Sequence, residues 1–400
     1  MIVEDHRVRL IWTYVESLDL SALYKKIRAV EGHAGRDAVD PRILMALWMY
    51  ATIEAVSSAR HLERLCKHDL AYMWIRGGVE VNHHMLSDFR TGHMEVMDQL
   101  LTDTIATLIH QGLVALETVA QDGVRVRANA GSSSFRRRKT LEKCRDEAQE
   151  QVENLKEQSD RETENGQSDK RREAARKRAV RERQERVDKA LEELENLESL
   201  KEKKEKGTGK KARSSVTDPD ARQMKMGNGG FQPGYNVQVA SDEKARMIVS
   251  VDVTNSGSDQ GQMPPMHKSI NQRYNKRPAN YLVDGGFVNN ASITEVEKTG
   301  TRVIAPIRDE KGMKERGTDP HKRQLKDSDE VAVFRKRMAS EESKELYKKR
   351  SSIAEYPNAE FRNRGMQQFR VRGLKKVRAV TLLYAISFNF MRMLNLGCMS

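Results

Sequence analysis

The chain has 400 residues, enough for two or three domains with at least one sizeable hydrophobic core. It carries 71 Lys and Arg against 58 Asp and Glu, and the formal charge of +13 predicts a surface that attracts polyanions, most commonly nucleic acid. Three widely spaced cysteines argue against a disulfide framework or a zinc finger. Without a long apolar run or a signal-peptide-like start, the sequence predicts a protein of the cytosol or nucleoid with no membrane partner.

Residues 1–112 are predicted to form an all-helical domain. Asp40 directly before Pro41 is typical of a helix start, and the apolar residues after it recur at the spacing of a buried helix face. Similar patterns continue to about residue 108. Three arginines are expected on the outside of these helices, namely Arg60, Arg64 and Arg90.

The pattern changes to that of a strand over residues 118–127, where apolar and polar residues alternate around Asp122. Residues 135–215 are rich in Lys, Arg, Glu and Gln, and two apolar stripes at helical spacing flank an Asn165-Gly166 turn signal. The stripes consist of Leu141, Cys144, Ala148, Val152 and Leu155, and of Val180, Val187, Leu191, Leu194 and Leu197. They predict an inserted, charged coiled-coil hairpin; a disordered charged linker is the alternative.

The remainder alternates between strand and helix patterns. Strands are predicted over 235–240, 247–253, 280–284 and 301–307, helices over 259–273, 290–298, 329–347 and 374–396, and a mobile loop over 308–325. This succession resembles the ribonuclease H-like α/β fold, a mixed sheet flanked by helices. We expect residues 113–134 and 216–400 to form that domain, interrupted by the charged insertion.

Asp122 and Asp284 are each predicted to lie on a short apolar strand, where a carboxylate is costly unless a metal ion or another partner receives it. Each is followed by glycine, and Asp-Gly alone is also typical of a turn. Their places in the predicted strand order favour a site for divalent metals, which activate water and stabilise the leaving oxygen in phosphodiester cleavage. A third carboxylate is expected after the loop, where the residues alone leave several candidates: Glu341, Glu342, Glu345, Glu355 and Glu360.

Four ordered motifs lie between residues 122 and 287. They are Asp-Gly-Val-Arg-Val-Arg-Ala-Asn-Ala (122–130), Thr-Asp-Pro-Asp-Ala-Arg (217–222), Gly-Tyr-Asn-Val-Gln (234–238) and Asp-Gly-Gly-Phe (284–287). Together they resemble bacterial insertion-sequence transposases of the DDE superfamily, in the branch with a helical N-terminal domain and a charged insertion. The resemblance extends from about residue 20 to residue 395.

The resemblance implies a catalytic triad of Asp122, Asp284 and Glu355 that binds two divalent ions, Mg²⁺ or also Mn²⁺. The family's signature around its glutamate contains a Tyr, an Arg and a later basic residue, which Tyr347, Arg350 and Arg362 match as DNA-binding residues. Two departures accompany the match. The last position is Arg362 where the family often has Lys, and Pro357, a residue type that interrupts helices, lies two residues past Glu355 where relatives tend to have a proline directly after the glutamate.

The implied function is cleavage of the ends of an insertion sequence and joining of the freed 3′-hydroxyl to target DNA. The implied partners are terminal inverted repeats and target DNA, bound by a homodimer. The helical domain with Arg60, Arg64 and Arg90 would read the repeats, although a packing or dimerisation domain is an alternative. A DNA-binding protein that no longer cuts and a structure-selective nuclease are the other readings. The motif at 217–222 is predicted to be a turn, or else to lie near the site.

Overall fold

The computed structural model describes residues 2–27, 38–164 and 170–398. The chain divides into two compact units. The first contains Met1–Val126, Asn236–Phe369 and Lys375–Ser400, and the second contains Arg127–Tyr235 and Arg370–Leu374. The N-terminal helices therefore belong to the same unit as most of the sheet.

The N-terminal region is helical, as predicted. Its helices are α1 (Arg7–Ser17), α2 (Ser21–Tyr24), α3 (Pro41–Ile53), α4 (Ala59–His68), α5 (Leu70–Arg76), α6 (His83–Gly92) and α7 (Met94–His110). The Asp40 side chain accepts a hydrogen bond from Arg42 N at the start of α3, as the Asp-Pro pair predicts. The stretch predicted as one helix after residue 87 is two helices, because His93 leaves the helical conformation between α6 and α7.

The prediction that Arg90 lies on the outside is wrong. The side chain is buried, its guanidinium lies 4.2 Å from the centre of the Trp48 ring, and its Nη1 donates to Ser57 O at 2.7 Å. Arg90 follows Leu86 by four residues on α6, so the two share the helix face that packs against Trp48. Burial lowers the pKa of Arg90 to about 10. An arginine in this place stabilises the helical region and is not available to DNA.

The rest of the chain supplies the sheet and its flanking helices. In chain order its elements are β1 (Thr118–Arg127), β2 (Phe135–Arg136), α8 (Arg138–Glu164), α9 (Lys170–Lys204), β3 (Ser214–Ser215), β4 (Arg222–Lys225), β5 (Phe231–Asp242), β6 (Ile248–Thr254), α10 (Met263–Tyr274), β7 (Asn280–Leu282), α11 (Asn290–Glu297), β8 (Arg302–Ile304), α12 (Glu310–Glu315), α13 (Asp329–Met338), α14 (Glu341–Lys348), α15 (Arg350–Asn363) and α16 (Leu374–Asn395).

The sheet of the first unit is mixed. Its strands run in the order β5-β1-β7-β8, and β6 pairs antiparallel with β5. Strand β7 is parallel to both β1 and β8. The first four residues of β1 and all of β7 are buried, as parallel strands covered by helices must be. This strand order, with α10, α11 and the later helices following in sequence, is ribonuclease H-like and confirms the predicted α/β fold.

Helices cover the sheet. Helices α7 and α10 pack against β6, and α11 and α13 pack against β8. An ion pair of 2.7 Å between Arg273 and Asp98 joins α10 to α7, which connects the N-terminal helices to the helices that cover the sheet. Helix α16 is long and apolar enough to span a membrane, but 78% of its apolar window is buried within the protein. It has the character of a core helix.

The second unit contains the charged helical hairpin. Helices α8 and α9 lie where the sequence predicts them and pack along each other; the predicted turn at Asn165-Gly166 lies outside the described residues. The inward residues form a small hydrophobic cluster: Leu141, Ala190, Leu191, Leu194 and Ala212. In the same unit β2 pairs with β3, and β4 pairs antiparallel with the first residues of β5.

The motif at 217–222 makes structural contacts in the second unit. Asp218 Oδ1 accepts hydrogen bonds from Tyr235 Oη at 2.8 Å and from Gly373 N at 3.1 Å. Asp220 Oδ2 accepts from Leu374 N and Lys189 Nζ, both at 2.9 Å. The two aspartates thus tie together the turn, the hairpin and the segment before α16.

The region before the last helices differs from its prediction in two places. The segment expected to be a loop over 308–325 contains a short helix, α12. The helix expected over 329–347 is two helices, because the Ser340 side chain accepts a hydrogen bond from Ser343 N and begins α14 anew.

Candidate active site

The register of two parallel strands brings Asp122 and Asp284 together. Thr118, Val119 and Ala120 of β1 pair with Asn280, Tyr281 and Leu282 of β7. The same offset, continued past the end of β7, sets Asp284 level with Asp122. Neighbouring strands are about 4.8 Å apart, so this register predicts an electrostatic interaction between the two carboxylates. Asp284 accordingly contributes to raising the pKa of Asp122.

Asp122 is partly buried in the middle of β1, and its two oxygens have different partners. Oδ1 accepts from Gly123 N at 2.9 Å, and Oδ2 accepts from Asn358 Nδ2 at 3.0 Å. Burial is the largest influence on the carboxyl and raises its pKa to about 6, against the lowering effect of the Gly123 amide and Arg350. Asp284 lies just beyond β7, where its Oδ1 accepts from Gly286 N at 2.7 Å and shapes the glycine turn.

A polar cluster that sequence reasoning missed lies beside Gly123. The Asp259 carboxylate accepts from Arg125 Nη2 at 2.8 Å, Asn236 Nδ2 at 2.7 Å and Gln238 Nε2 at 2.9 Å. A Cβ at Gly123 would lie 2.2 Å from Asp259 Oδ1, so only glycine fits there. Its sequence signals are Arg125 in the motif at 122–130 and the Asn and Gln in the motif at 234–238, whereas Asp259 itself has none.

Helix α15 carries the predicted glutamate. It begins at Arg350 and continues through Pro357 to Asn363, so Glu355 and Arg362 belong to one helix despite the proline. Arg350 Nη2 donates to Glu355 Oε1 at 3.1 Å, and the Arg350 side chain is only 14% exposed while that of Glu355 is 57% exposed. Arg350 Nη1 is buried and has no hydrogen-bond partner among the described residues.

Tyr347 and Arg362 flank this pair. Tyr347 lies in the last turn of α14, and burial raises the pKa of its hydroxyl against the opposing effect of Arg350. Arg362 is exposed in the last turn of α15, about two helical turns beyond Glu355 and hence on the same side of the helix. Tyr347, Arg350 and Glu355 therefore form one local cluster, as the family signature implies.

The structure brings Asp122 and Asp284 together but leaves the Glu355 carboxylate paired with Arg350. Within the described ranges, no group of three His, Cys, Asp or Glu side chains is placed to hold a metal ion. The two aspartates nonetheless fit a divalent cation. Both are hard oxygen donors, and no lysine or arginine in the described residues forms an ion pair with either carboxylate. The buried Asn358 Oδ1 also has no partner among the described residues.

Arg60 and Arg64 lie elsewhere in the first unit. Both are exposed on α4, the helix that also carries exposed Lys67 and His68. The apolar side of α4 is buried through Leu62 and Cys66. Helix α4 thus presents a basic face to solvent.

Two comparisons with known families bear on this arrangement. The profile described as "Transposase DDE domain" matches residues 201–390, which include Asp284 and Glu355. The profile described as "Transposase domain (DUF772)" matches residues 1–92. Asp122 lies between the two matched segments. No curated protein and no solved structure matches the chain. The two matches, in this order around a ribonuclease H-like sheet, show that the chain belongs to the DDE transposases of insertion sequences and has the helical N-terminal domain typical of them.

Proposed function

We propose that this transposase cleaves the ends of an insertion sequence and joins the freed 3′-hydroxyl to target DNA, with Asp122, Asp284 and Glu355 as its metal-binding carboxylates. The observation that carries the proposal is the register of β1 and β7, which sets Asp122 level with Asp284. Mg²⁺ prefers oxygen ligands of this kind, and Mn²⁺ takes similar ones. When bound, two such ions supply activation of water and neutralisation of the leaving oxygen.

The ion pair between Arg350 and Glu355 defines how the third carboxylate joins the site. The guanidinium is largely buried and has one free nitrogen, Nη1, among the described residues. A DNA phosphate gives such a guanidinium a bidentate partner. We infer that phosphate binding draws Arg350 away from Glu355, whose exposed carboxylate then turns to the aspartates. Tyr347 and Arg362 would contact neighbouring phosphates.

DNA end recognition is assigned to the N-terminal helices. The basic face of α4, with Arg60 and Arg64, and the formal charge of +13 support phosphate contacts by this region. A transposase must hold two ends at once, so we propose a homodimer on DNA, acting at the nucleoid, with the α8–α9 hairpin available to bridge protomers. The competing interpretation is that the N-terminal helices only pack against the rest of the chain. The contacts of α7 with α10 show that α7 has such a packing role.

The test is cleavage by variants of the aspartates. D122N and D284N should abolish Mg²⁺-dependent nicking of linear DNA that carries terminal inverted repeats, while binding of that DNA stays near the wild-type level. D252N is the matched control, since Asp252 lies on β6 of the same sheet, accepts a hydrogen bond from Val253 N and forms a partly exposed ion pair with Arg378. Nicking retained by both D122N and D284N would exclude the metal role.

A second candidate is a transposase-derived protein that binds DNA without cutting it. The pairing of Glu355 with Arg350 favours this candidate, because the three acids do not form one group among the described residues. Wild-type protein that binds inverted repeats but never nicks them, in Mg²⁺ or Mn²⁺, would establish it. Cutting that is independent of the repeats would instead indicate a structure-selective nuclease of the same fold.

A further inference from the structure

Asn358 is a residue of the site region that no sequence motif identified. It lies on α15, three residues after Glu355, so the two side chains project from the same side of the helix. Only 3% of Asn358 is exposed. Its Nδ2 donates to Asp122 Oδ2 at 3.0 Å. The side chain therefore connects the helix of the third carboxylate to the first one.

The other end of this amide is unsatisfied. Asn358 Oδ1 is buried and accepts no hydrogen bond from any described residue. Asn389 on α16 is fully paired, since its Nδ2 donates to Ile248 O and its Oδ1 accepts from Ile248 N, both at 2.8 Å. Buried polar atoms in proteins are almost always paired, so the free oxygen of Asn358 leaves room for a partner outside the protein. Asn236 and Asn280 also have a buried oxygen without a described partner, and what distinguishes Asn358 is its bond to Asp122.

The chemistry of the surroundings limits what that partner is. The Asn358 amide is bound to Asp122, whose carboxyl interacts electrostatically with Asp284. An additional oxygen beside two carboxylates suits a hard divalent cation, for which asparagine carbonyls and waters are ordinary ligands. An anion would be repelled by the same carboxylates. The orientation of the amide is already set, because Nδ2 is held by Asp122.

We propose that Asn358 is a further residue of the cation site, with Nδ2 holding Asp122 in place and Oδ1 serving as an oxygen donor to the bound cation or to a water of its hydration shell. This inference rests on the proposed function, which supplies the cation. It adds a fourth residue to the three carboxylates. Through Asn358, the buried face of α15 would then contribute directly to metal binding.

The experiment measures Mn²⁺ binding to the full chain by titration calorimetry, together with thermal unfolding with and without Mn²⁺. N358L removes both the donor and the oxygen and should weaken Mn²⁺ binding about tenfold or more, the usual effect of losing such a partner. N358D keeps an oxygen and adds a charge. It should melt below the wild type without metal, bind Mn²⁺ at least as tightly, and regain its thermal stability when Mn²⁺ is added.

The matched control is N389D, the same change at a buried asparagine away from the aspartates. It should lose stability that Mn²⁺ does not restore. If N358L fails to fold, N358A replaces it. Wild-type Mn²⁺ affinity in N358L, or an equal loss of affinity in N358D and N358L, would overturn the role of Asn358 as an oxygen donor. A wild-type chain that binds no Mn²⁺ would instead overturn the proposed metal site itself.

Discussion

Asn358 Nδ2 donates a 3.0 Å hydrogen bond to Asp122 Oδ2, although 236 residues separate the two in sequence. The bond connects α15 to the middle of β1, where Asp122 interacts electrostatically with Asp284. The geometry of the site thus depends on contacts between segments that are distant in sequence. Substitutions that disturb those contacts should lower stability and cleavage more than substitutions in a local turn.

The glycines that follow the two aspartates should differ in their tolerance of a side chain. In G123A the new Cβ would meet Asp259 Oδ1 at 2.2 Å, whereas a Cβ at Gly285 meets nothing within 4 Å. We expect G123A to lower the free energy of unfolding by about 1–3 kcal/mol through overpacking and to impair cleavage. G285A should stay within about 0.5 kcal/mol of the wild type. Urea unfolding of both variants checks this, and equal stability of the two would contradict it.

Among the arginines of the N-terminal helices, Arg90 should contribute to stability, whereas Arg60 and Arg64 should contribute to DNA binding. R90A removes the stacking on Trp48 and leaves Ser57 O without its donor, so we expect a loss of about 2–3 kcal/mol in the free energy of unfolding. R60A and R64A should leave stability within about 0.5 kcal/mol of the wild type while weakening DNA binding and its salt dependence. Chemical unfolding and DNA binding at several salt concentrations test both expectations. A stable R90A would be the contrary result.

His267 should make stability depend on pH. It is buried beside Thr301, and burial lowers its pKa to about 4. The unfolded chain binds a proton as the pH falls through about 6.5, but the folded chain does not, so stability present above that pH is lost progressively down to about pH 4. The loss attributable to this group is up to about 3 kcal/mol.

Carboxylates titrate in the same pH range as His267. The quantity to compare is therefore the pH dependence of the free energy of unfolding in the wild type and in variants. The free energy of unfolding of H267N should fall less between pH 7 and pH 4.5 than that of the wild type. Replacement of the exposed His68 in H68N should leave the wild-type dependence unchanged. A parallel course for H267N and the wild type would show that His267 is not the group responsible.

Removal of the Arg350–Glu355 ion pair should raise the affinity for Mn²⁺ and lower the rate of DNA cleavage. R350M releases the Glu355 carboxylate, so we expect Mn²⁺ to bind roughly two- to fivefold more tightly, as befits a half-exposed ion pair. Cleavage should nonetheless fall about 100-fold or more, because a charge-stabilising donor is gone. R362M, on the same helix but without a bond to Glu355, should reduce cleavage and leave Mn²⁺ affinity as it was. Calorimetry showing no change in R350M would argue against the proposed release of Glu355.

The succession of strands and helices could be predicted from local patterns, because the alternation around Asp122 and the glycine turn after Asp284 are properties of a few consecutive residues. Asp284, predicted on a strand, lies just beyond β7. The pairing of β1 with β5 and β7 is a tertiary property that these patterns do not indicate. The division of the predicted helix over 329–347 occurs at Ser340, a favourable helix cap that lies within a continuing helical period.

The parts of the site that were missed depend on tertiary contacts. Asp259 and Asn358 have ordinary sequence surroundings. Their contacts, of Asp259 with Asn236 on β5 and of Asn358 with Asp122 on β1, form only in the folded chain. Arginine is usually exposed, and the aromatic face of Trp48 together with the carbonyl of Ser57 makes the burial of Arg90 favourable. Nothing in the order of residues indicates that Glu355 pairs with Arg350 in preference to the aspartates.

The long interval between β1 and its neighbours has a consequence for folding. Strand β1 ends at Arg127, but β5 begins only at Phe231 and β7 at Asn280, so a growing chain carries β1 with both edges open. In the second unit Ala128 N donates to Pro233 O at 2.9 Å, which brings the two ends of that unit together. An inserted unit that folds early therefore shortens the loop that β1 and β5 must close, and it hastens the burial of a strand that would otherwise invite aggregation during synthesis.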